Sequence, residues 1–154
     1  MTEQTRTQLL ENFADKCRSY RLSLTPQRIA IYKALIDDAS HPSPDNIYQT
    51  IKSDFPTISL ATVYKTLETF EQNGIISLVT PIHNTVRYDA KTEHHHHIVC
   101  IKCKKIMDIE SKELDALKIP DAVAKQNRFV DFSVHFSVIC ADCLAKAKKE
   151  AVHS

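Results

Sequence analysis

Apolar side chains recur at helical spacing in separate runs along the first half of the chain. Leu9, Leu10, Phe13, Ala14 and Cys17 mark a helix within residues 5–20. A second helix opens at Thr25-Pro26, a capping residue followed by proline in the first turn, and runs through Ile29, Ala30, Tyr32, Ala34 and Leu35. It must end before His41-Pro42-Ser43-Pro44, where two prolines break the pattern, and Ser43-Pro44 restarts a short helix over 45–52. After Phe55-Pro56, Ser59 caps a fourth helix whose core face is Leu60, Val63, Leu67 and Phe70 and which stops at Asn73-Gly74. Gly74 is the only glycine in the chain, and a left-handed helix terminus is where glycine is most useful.

Short strands are then predicted over 75–79 and 86–88, around a turn at Pro81-Ile82-His83-Asn84. Helices followed by such a hairpin make a winged helix-turn-helix, with the last helix placed to enter a DNA major groove. Its polar face is Thr62, Lys65, Thr66 and Thr69. Tyr64 lies beside it, able to reach both phosphate and a thymine methyl.

From His94 the period changes to two. His97-Ile98-Val99-Cys100-Ile101 and Lys105-Ile106-Met107-Asp108-Ile109 form a predicted hairpin. A helix over 111–125 should turn Leu114, Leu117 and Val123 inward, shortened or kinked by Pro120. A strand over 129–139 and a helix over 141–150 complete the second half. The fold class is therefore α+β: a winged helix-turn-helix over 1–88 and a small α/β domain over 89–154.

A chain of 154 residues divided this way has two small cores, each needing a metal or a partner chain for support. The net charge is +1, and neither half is strongly basic, so bulk charge does not announce a nucleic-acid binder. A local excess survives in the first 33 residues, where Arg6, Lys16, Arg18, Arg21, Arg28 and Lys33 outnumber Glu3, Glu11 and Asp15. No apolar run approaches the ~20 residues of a membrane span and no charged-then-apolar leader opens the sequence, so a soluble, cytoplasmic protein is expected.

Cys100-x-x-Cys103 and Cys140-x-x-Cys143 are two thiolate hooks with the spacing that closes a tetrahedral zinc site. Four thiolates leave no open position for substrate, so the expected role is structural; a redox-active pair and an iron–sulfur centre are the alternatives. Cys17 stands alone in a helical pattern and reads as a buried small side chain. His94-His95-His96-His97 is internal and short, unlike a purification tag. In an extended segment His95 and His97 share a face, about 7 Å apart, while His94 and His96 face the other way. With Asp89 and Asp108 nearby, His95 and His97 make a mixed nitrogen and oxygen donor set suited to Fe(II), Mn(II) or Zn(II).

Taken together, these runs closely resemble the ferric uptake regulator superfamily, across almost the whole chain. The residues carrying the resemblance are Leu24-Thr25-Pro26-Gln27-Arg28, His41-Pro42, Ser59-Leu60-Ala61-Thr62-Val63-Tyr64-Lys65-Thr66-Leu67, Arg87-Tyr88-Asp89, the histidine tract leading to Cys100-Ile101-Lys102-Cys103, and Cys140-Ala141-Asp142-Cys143. The resemblance implies a homodimeric, metal-dependent repressor with an N-terminal winged helix and a C-terminal dimerisation domain. Structural Zn(II) falls to Cys100, Cys103, Cys140 and Cys143, and a regulatory Fe(II) or Mn(II) site to His41, Asp89, His95, His97 and Asp108. Contacts to a palindromic operator fall to Arg28, Ser59, Thr62, Tyr64, Lys65 and Thr66.

Aspartate at 108, where the iron-uptake branch usually has glutamate, makes the chain more similar to the peroxide-sensing branch. There Fe(II)-dependent oxidation of a histidine ligand, His41 or His95, would release metal and DNA. A regulator of iron or other metal availability is the alternative. The family's Gly-x-Arg/Lys-x-Thr approach to the second helix is replaced by Arg21-Leu22-Ser23-Leu24-Thr25, with Arg18 or Arg21 as stand-ins for its basic residue. No complete third site is expected: Phe132 stands where some relatives place a histidine, His135 is offset by three, and His94, His96 and Asp115 make a weak set. Two other classes compete: a zinc or iron enzyme using the His/Asp set, which lacks an evident base or nucleophile beyond the ligands, and a zinc-stapled interaction module without DNA.

Overall fold

A computed structural model of the chain describes residues 2–82 and 85–152, in two compact units that divide between Thr92 and Glu93. The first unit contains α1 (Glu3–Ser19), α2 (Pro26–Asp37), α3 (Pro44–Ile51), α4 (Leu60–Gln72) and an antiparallel hairpin of β1 (Ser77–Ile82) with β2 (Thr85–Asp89). Side-chain oxygens start the helices: Thr25 accepts from the Arg28 N–H, Ser43 from Asn46 and Ser59 from Thr62. Each such cap contributes about 1 kcal/mol. Gly74 takes φ of +63° just past α4, and the next N–H, of Ile75, closes on the Phe70 carbonyl at 2.9 Å. That bond spends a donor of the expected strand 75–79 on the helix end, so β1 begins only at Ser77. His83 and Asn84, in the expected turn, lie outside the described residues.

The core of this unit is aromatic. Phe13 stacks on Tyr32 with centroids 4.1 Å apart, and Phe70 meets Phe13 edge-on at 5.2 Å. Cys17, Ile31, Ile47, Val63 and Leu67 fill the surrounding space, which confirms Cys17 as a core side chain. Leu60, expected on the core face of α4, is only half-buried.

The second unit is a three-stranded sheet, β3 (His96–Cys100), β4 (Ile106–Ile109) and β5 (His135–Val138), in the order β4-β3-β5. β3 runs antiparallel to β4 and parallel to β5. Three helices accompany it: α5 (Lys112–Asp115), α6 (Asp121–Ala124) and α7 (Ala141–Val152). The single helix expected over 111–125 is two short ones, because Pro120 cannot donate into a continuing helix. Leu117 and Val123, expected inward, are 50% and 42% exposed. The strand expected over 129–139 contracts to β5. Among the described residues few large apolar side chains are buried here beyond Val99 and Ile106, so the cysteine cluster must supply what the core does not. Among the described residues no helix is long and apolar enough to cross a membrane.

Candidate metal centres

Cys100 ends β3 and Cys103 lies in the turn after it, while Cys140 directly precedes α7 and Cys143 lies in its first turn. The four sulfurs lie within 4.8 Å of one another. Cys100 and Cys143 are 3.8 Å apart, Cys103 and Cys140 3.7 Å. Sulfurs at ~2.3 Å from one tetrahedral ion stand about 3.8 Å apart, so the arrangement fits Zn(II). The backbone N–H groups of Cys140 and Cys103 point at the Cys100 sulfur and pull its thiol down to about 6. Hydrogen bonding with the Cys140 thiol first, and with the other two, pushes Cys143 up to about 12. Four closed thiolates in a thin core make this a structural zinc site.

A second donor set lies on one face of the same sheet. His97 pairs in register with Asp108, and His95, two residues along, shares its face. The His95 and His97 rings are 4.6 Å apart, and their Nε2 atoms stand 3.7 and 4.0 Å from Asp108 Oδ1. His95 Nδ1 is 2.7 Å from the Glu93 carbonyl, which can only accept, so the proton sits on Nδ1 and Nε2 presents its lone pair towards Asp108. Two buried imidazoles and a carboxylate suit Fe(II) or Mn(II).

In the first unit, His41 and Asp89 already touch. His41 Nε2 lies 3.1 Å from Asp89 Oδ2, while Asp89 Oδ1 accepts the Lys91 N–H at 2.8 Å. His41 is buried and has φ of +57°, a left-handed conformation directly before a proline. Strain of this kind costs on the order of 1–3 kcal/mol and persists only where the surroundings over-determine it.

The opposite face of β3 gathers a third set. His94, His96 and Asp115 offer ligand atoms within 4.8 Å of one another, and Phe132 packs against both rings. His96 Nε2 is 3.1 Å from Asp115 Oδ1, and His94 Nδ1 is 3.1 Å from Asp131. Asp131 was not among the expected residues. Nor was the place of His135, which the parallel register of β3 and β5 sets beside His97 with the rings stacked 5.1 Å apart. Nothing in a linear pattern reveals a parallel register.

On α4, Thr62, Lys65 and Thr69 line a cleft with Arg28, Ser23 and Thr25 from the start of α2. Thr66, expected on the exposed face, is buried and lines the cleft from below. Ser59 is occupied as the cap of α4. Tyr64 donates its hydroxyl to Asp45 at 3.0 Å, which raises the phenol above its ordinary value. Arg28 donates to the Ser23 carbonyl at 2.8 Å and Arg18 is paired with Asp15, so neither guanidinium is an idle cation.

A winged-helix unit, a small sheet with one four-thiolate site and separate histidine–aspartate sets together define a metal-dependent regulator of transcription. The chain belongs to the ferric uptake regulator family, whose model matches residues 19–139, and its similarity lies with the peroxide-responsive branch. It is 40% identical over 109 residues to the peroxide-responsive repressor PerR of Staphylococcus epidermidis, covering 71% of this chain and 73% of that one. With PerR of Staphylococcus saprophyticus it shares 35% over 142 residues, 89% of this chain and 93% of that one. Among solved structures, the ferric uptake regulator Fur of Helicobacter pylori, described as having three functional metal-binding sites, superposes with a TM-score of 0.72 at 26% identity, over 90% of this chain and 93% of that one.

Proposed function

We propose that the first unit is the DNA-binding domain and the second the metal-binding dimerisation domain of a repressor that senses peroxide. In this reading His41 and Asp89 join His95, His97 and Asp108 as ligands of one regulatory Fe(II) or Mn(II). The observation that carries it is the shared face of His95, His97 and Asp108, with the His95 lone pair already aimed at the carboxylate. The contact of His41 with Asp89 supplies a matching pair in the first unit. Ligands drawn from both units make the bound state one in which the DNA-binding halves of a homodimer are held at one spacing, fit for a palindromic operator. The exposed apolar residues Val130, Phe136 and Leu144, around the edge strand β5 and on α7, are the surface available to a second copy.

On the DNA side, Lys65 and Arg28 provide phosphate contacts, Thr62 and Tyr64 reach base edges, and Ser59 and Thr66 support them from the helix start and the cleft floor. Fe(II), when bound, supplies the one-electron chemistry that turns peroxide into a local oxidant. The chain's part is to hold His41 and His95 where that oxidant forms. An oxidised imidazole is a poorer donor, so the clamp on the two DNA-binding halves is lost.

The test loads the protein with Fe(II) or Mn(II), exposes each to the same low peroxide, and measures operator binding with peptide masses covering His41 and His95. A gain of about 16 Da on either histidine, with DNA release in the Fe(II) form alone, is expected. Unmodified histidines, with binding that follows free metal, would instead mark a regulator of metal availability.

A further inference from the structure

In the run Arg87-Tyr88-Asp89, Asp89 has the proposed role of a regulatory metal ligand. The structure gives Arg87 another. Its Nη1 donates to the backbone carbonyl of His41 at 3.2 Å. The next N–H of strand β2, on Tyr88, donates to the Pro42 carbonyl at 3.3 Å. One residue further on, Asp89 meets the His41 ring. Backbone and imidazole of His41 are thus fastened to Arg87 and Asp89, and the next residue, Pro42, to Tyr88 between them.

His41 needs such fastening. Its φ of +57° is unfavourable for a residue with a Cβ, and the proline after it biases it towards extended conformations. Released, the residue would relax and carry its ring away from Asp89. A guanidinium is well matched to this role, because it stays a donor at every working pH and its planar fork is preorganised on a half-buried stem.

We propose that Arg87 is a positioning residue of the regulatory centre: by holding the His41 carbonyl it fixes the left-handed backbone and so aims the imidazole that binds metal. The proposal rests on His41 being a regulatory ligand. Since Arg87 belongs to the wing hairpin, displacement of β2 by DNA would alter metal affinity, and metal would alter DNA affinity by the same factor.

The experiment measures Mn(II) affinity of the zinc-loaded, full-length protein without DNA, by the EPR signal of free Mn(II), for wild type, Arg87→Met, Arg87→Lys, His41→Ala and the His41→Ala/Arg87→Met double variant. Loss of a supporting hydrogen bond to a ligand typically weakens metal binding about 10–100-fold. That loss is expected for Arg87→Met with zinc content unchanged, together with substantial recovery in Arg87→Lys, which keeps a donor of similar reach. In the His41→Ala background Arg87→Met should cost nothing more, because its effect passes through His41.

Wild-type affinity in Arg87→Met, with His41→Ala weakened, overturns the positioning role and leaves the ligand reading standing. An equal loss in both backgrounds also overturns it, since Arg87 would then act on another group. Unchanged affinity in His41→Ala removes the ligand reading itself, and the proposal with it. If Arg87→Met does not fold, Arg87→Lys is compared with Arg87→Gln, whose amide is too short to reach. Lys must retain more affinity than Gln, and equal affinities overturn the proposal.

Discussion

His97 and Asp108 stand directly opposite one another on β3 and β4, with His97 Nε2 and Asp108 Oδ1 4.0 Å apart. That is too long for a hydrogen bond and within the span of two donors on one ion, since ligands at ~2.1 Å stand about 3–4 Å apart. Asp108→Asn keeps the shape and removes the charge. It should lower Mn(II) affinity about tenfold or more, no less than loss of an outer partner would, while leaving zinc content unchanged. Equilibrium dialysis against both metals checks this, and wild-type Mn(II) affinity would exclude Asp108 as a ligand.

Lys65 lies on the exposed face of α4 and lines the cleft beside Arg28. A lysine that neutralises one phosphate supports affinity without reading sequence. Lys65→Ala should therefore weaken operator and unrelated DNA by a similar factor, and reduce the slope of log affinity against log salt by about 1. A selective loss for the operator alone would make Lys65 a base reader.

Local signals carried the first unit. Proline, Ser/Thr caps and the lone glycine punctuate its helices, and 3.6-residue periodicity marks their buried faces, so Phe13, Cys17, Val63, Leu67 and Phe70 are legible as core in the sequence itself. The second unit is harder, because its order depends on long-range pairing. Leu117 and Val123 follow a helical spacing yet stay exposed once Pro120 divides the segment. The cysteine spacing and the alternation of the four histidines are readable because each is a local rule. Asp131 and the stacking of His135 on His97 come from the β3–β5 register and from a loop, which no local rule encodes.

The zinc site responds to pH through two of its thiols. Cys100 is depressed to about 6 from 9.0 by the N–H groups of Cys140 and Cys103, so its contribution is full above 9.0 and is lost as pH falls towards 6. Cys143, raised to about 12, acts in the opposite sense above 9.0, where the unfolded thiol ionises and the folded one does not. Zinc binding needs the sulfurs as thiolates, so zinc occupancy at limiting zinc should fall as pH drops towards 6, where Cys100 takes up its proton. The zinc-loaded form should melt higher than the metal-free one. Cys100→Ser removes a ligand and both of these hydrogen bonds to sulfur; it should lose zinc and unfold or monomerise the second unit, which thermal melts and sizing in the presence of zinc would show.

His95 and His96 are neighbours on one strand with opposite proton arrangements, and this ranks the two histidine sets. His95 places its proton on Nδ1, against the Glu93 carbonyl, leaving the Nε2 lone pair towards Asp108. His96 Nδ1 accepts the Val134 N–H at 3.2 Å, so its proton sits on Nε2, against Asp115. For His96 to ligate an ion beside His94 and Asp115 through Nε2, its proton must move to Nδ1 and the bond from the Val134 N–H must break, whereas His95 is ready as it stands. Metal titration should therefore show two steps, with the weaker one at the His94, His96 and Asp115 set. Asp115→Asn should abolish the weaker step and leave the tighter one unchanged. Titration calorimetry resolves the two steps, and loss of the tighter step in Asp115→Asn would reverse the ranking.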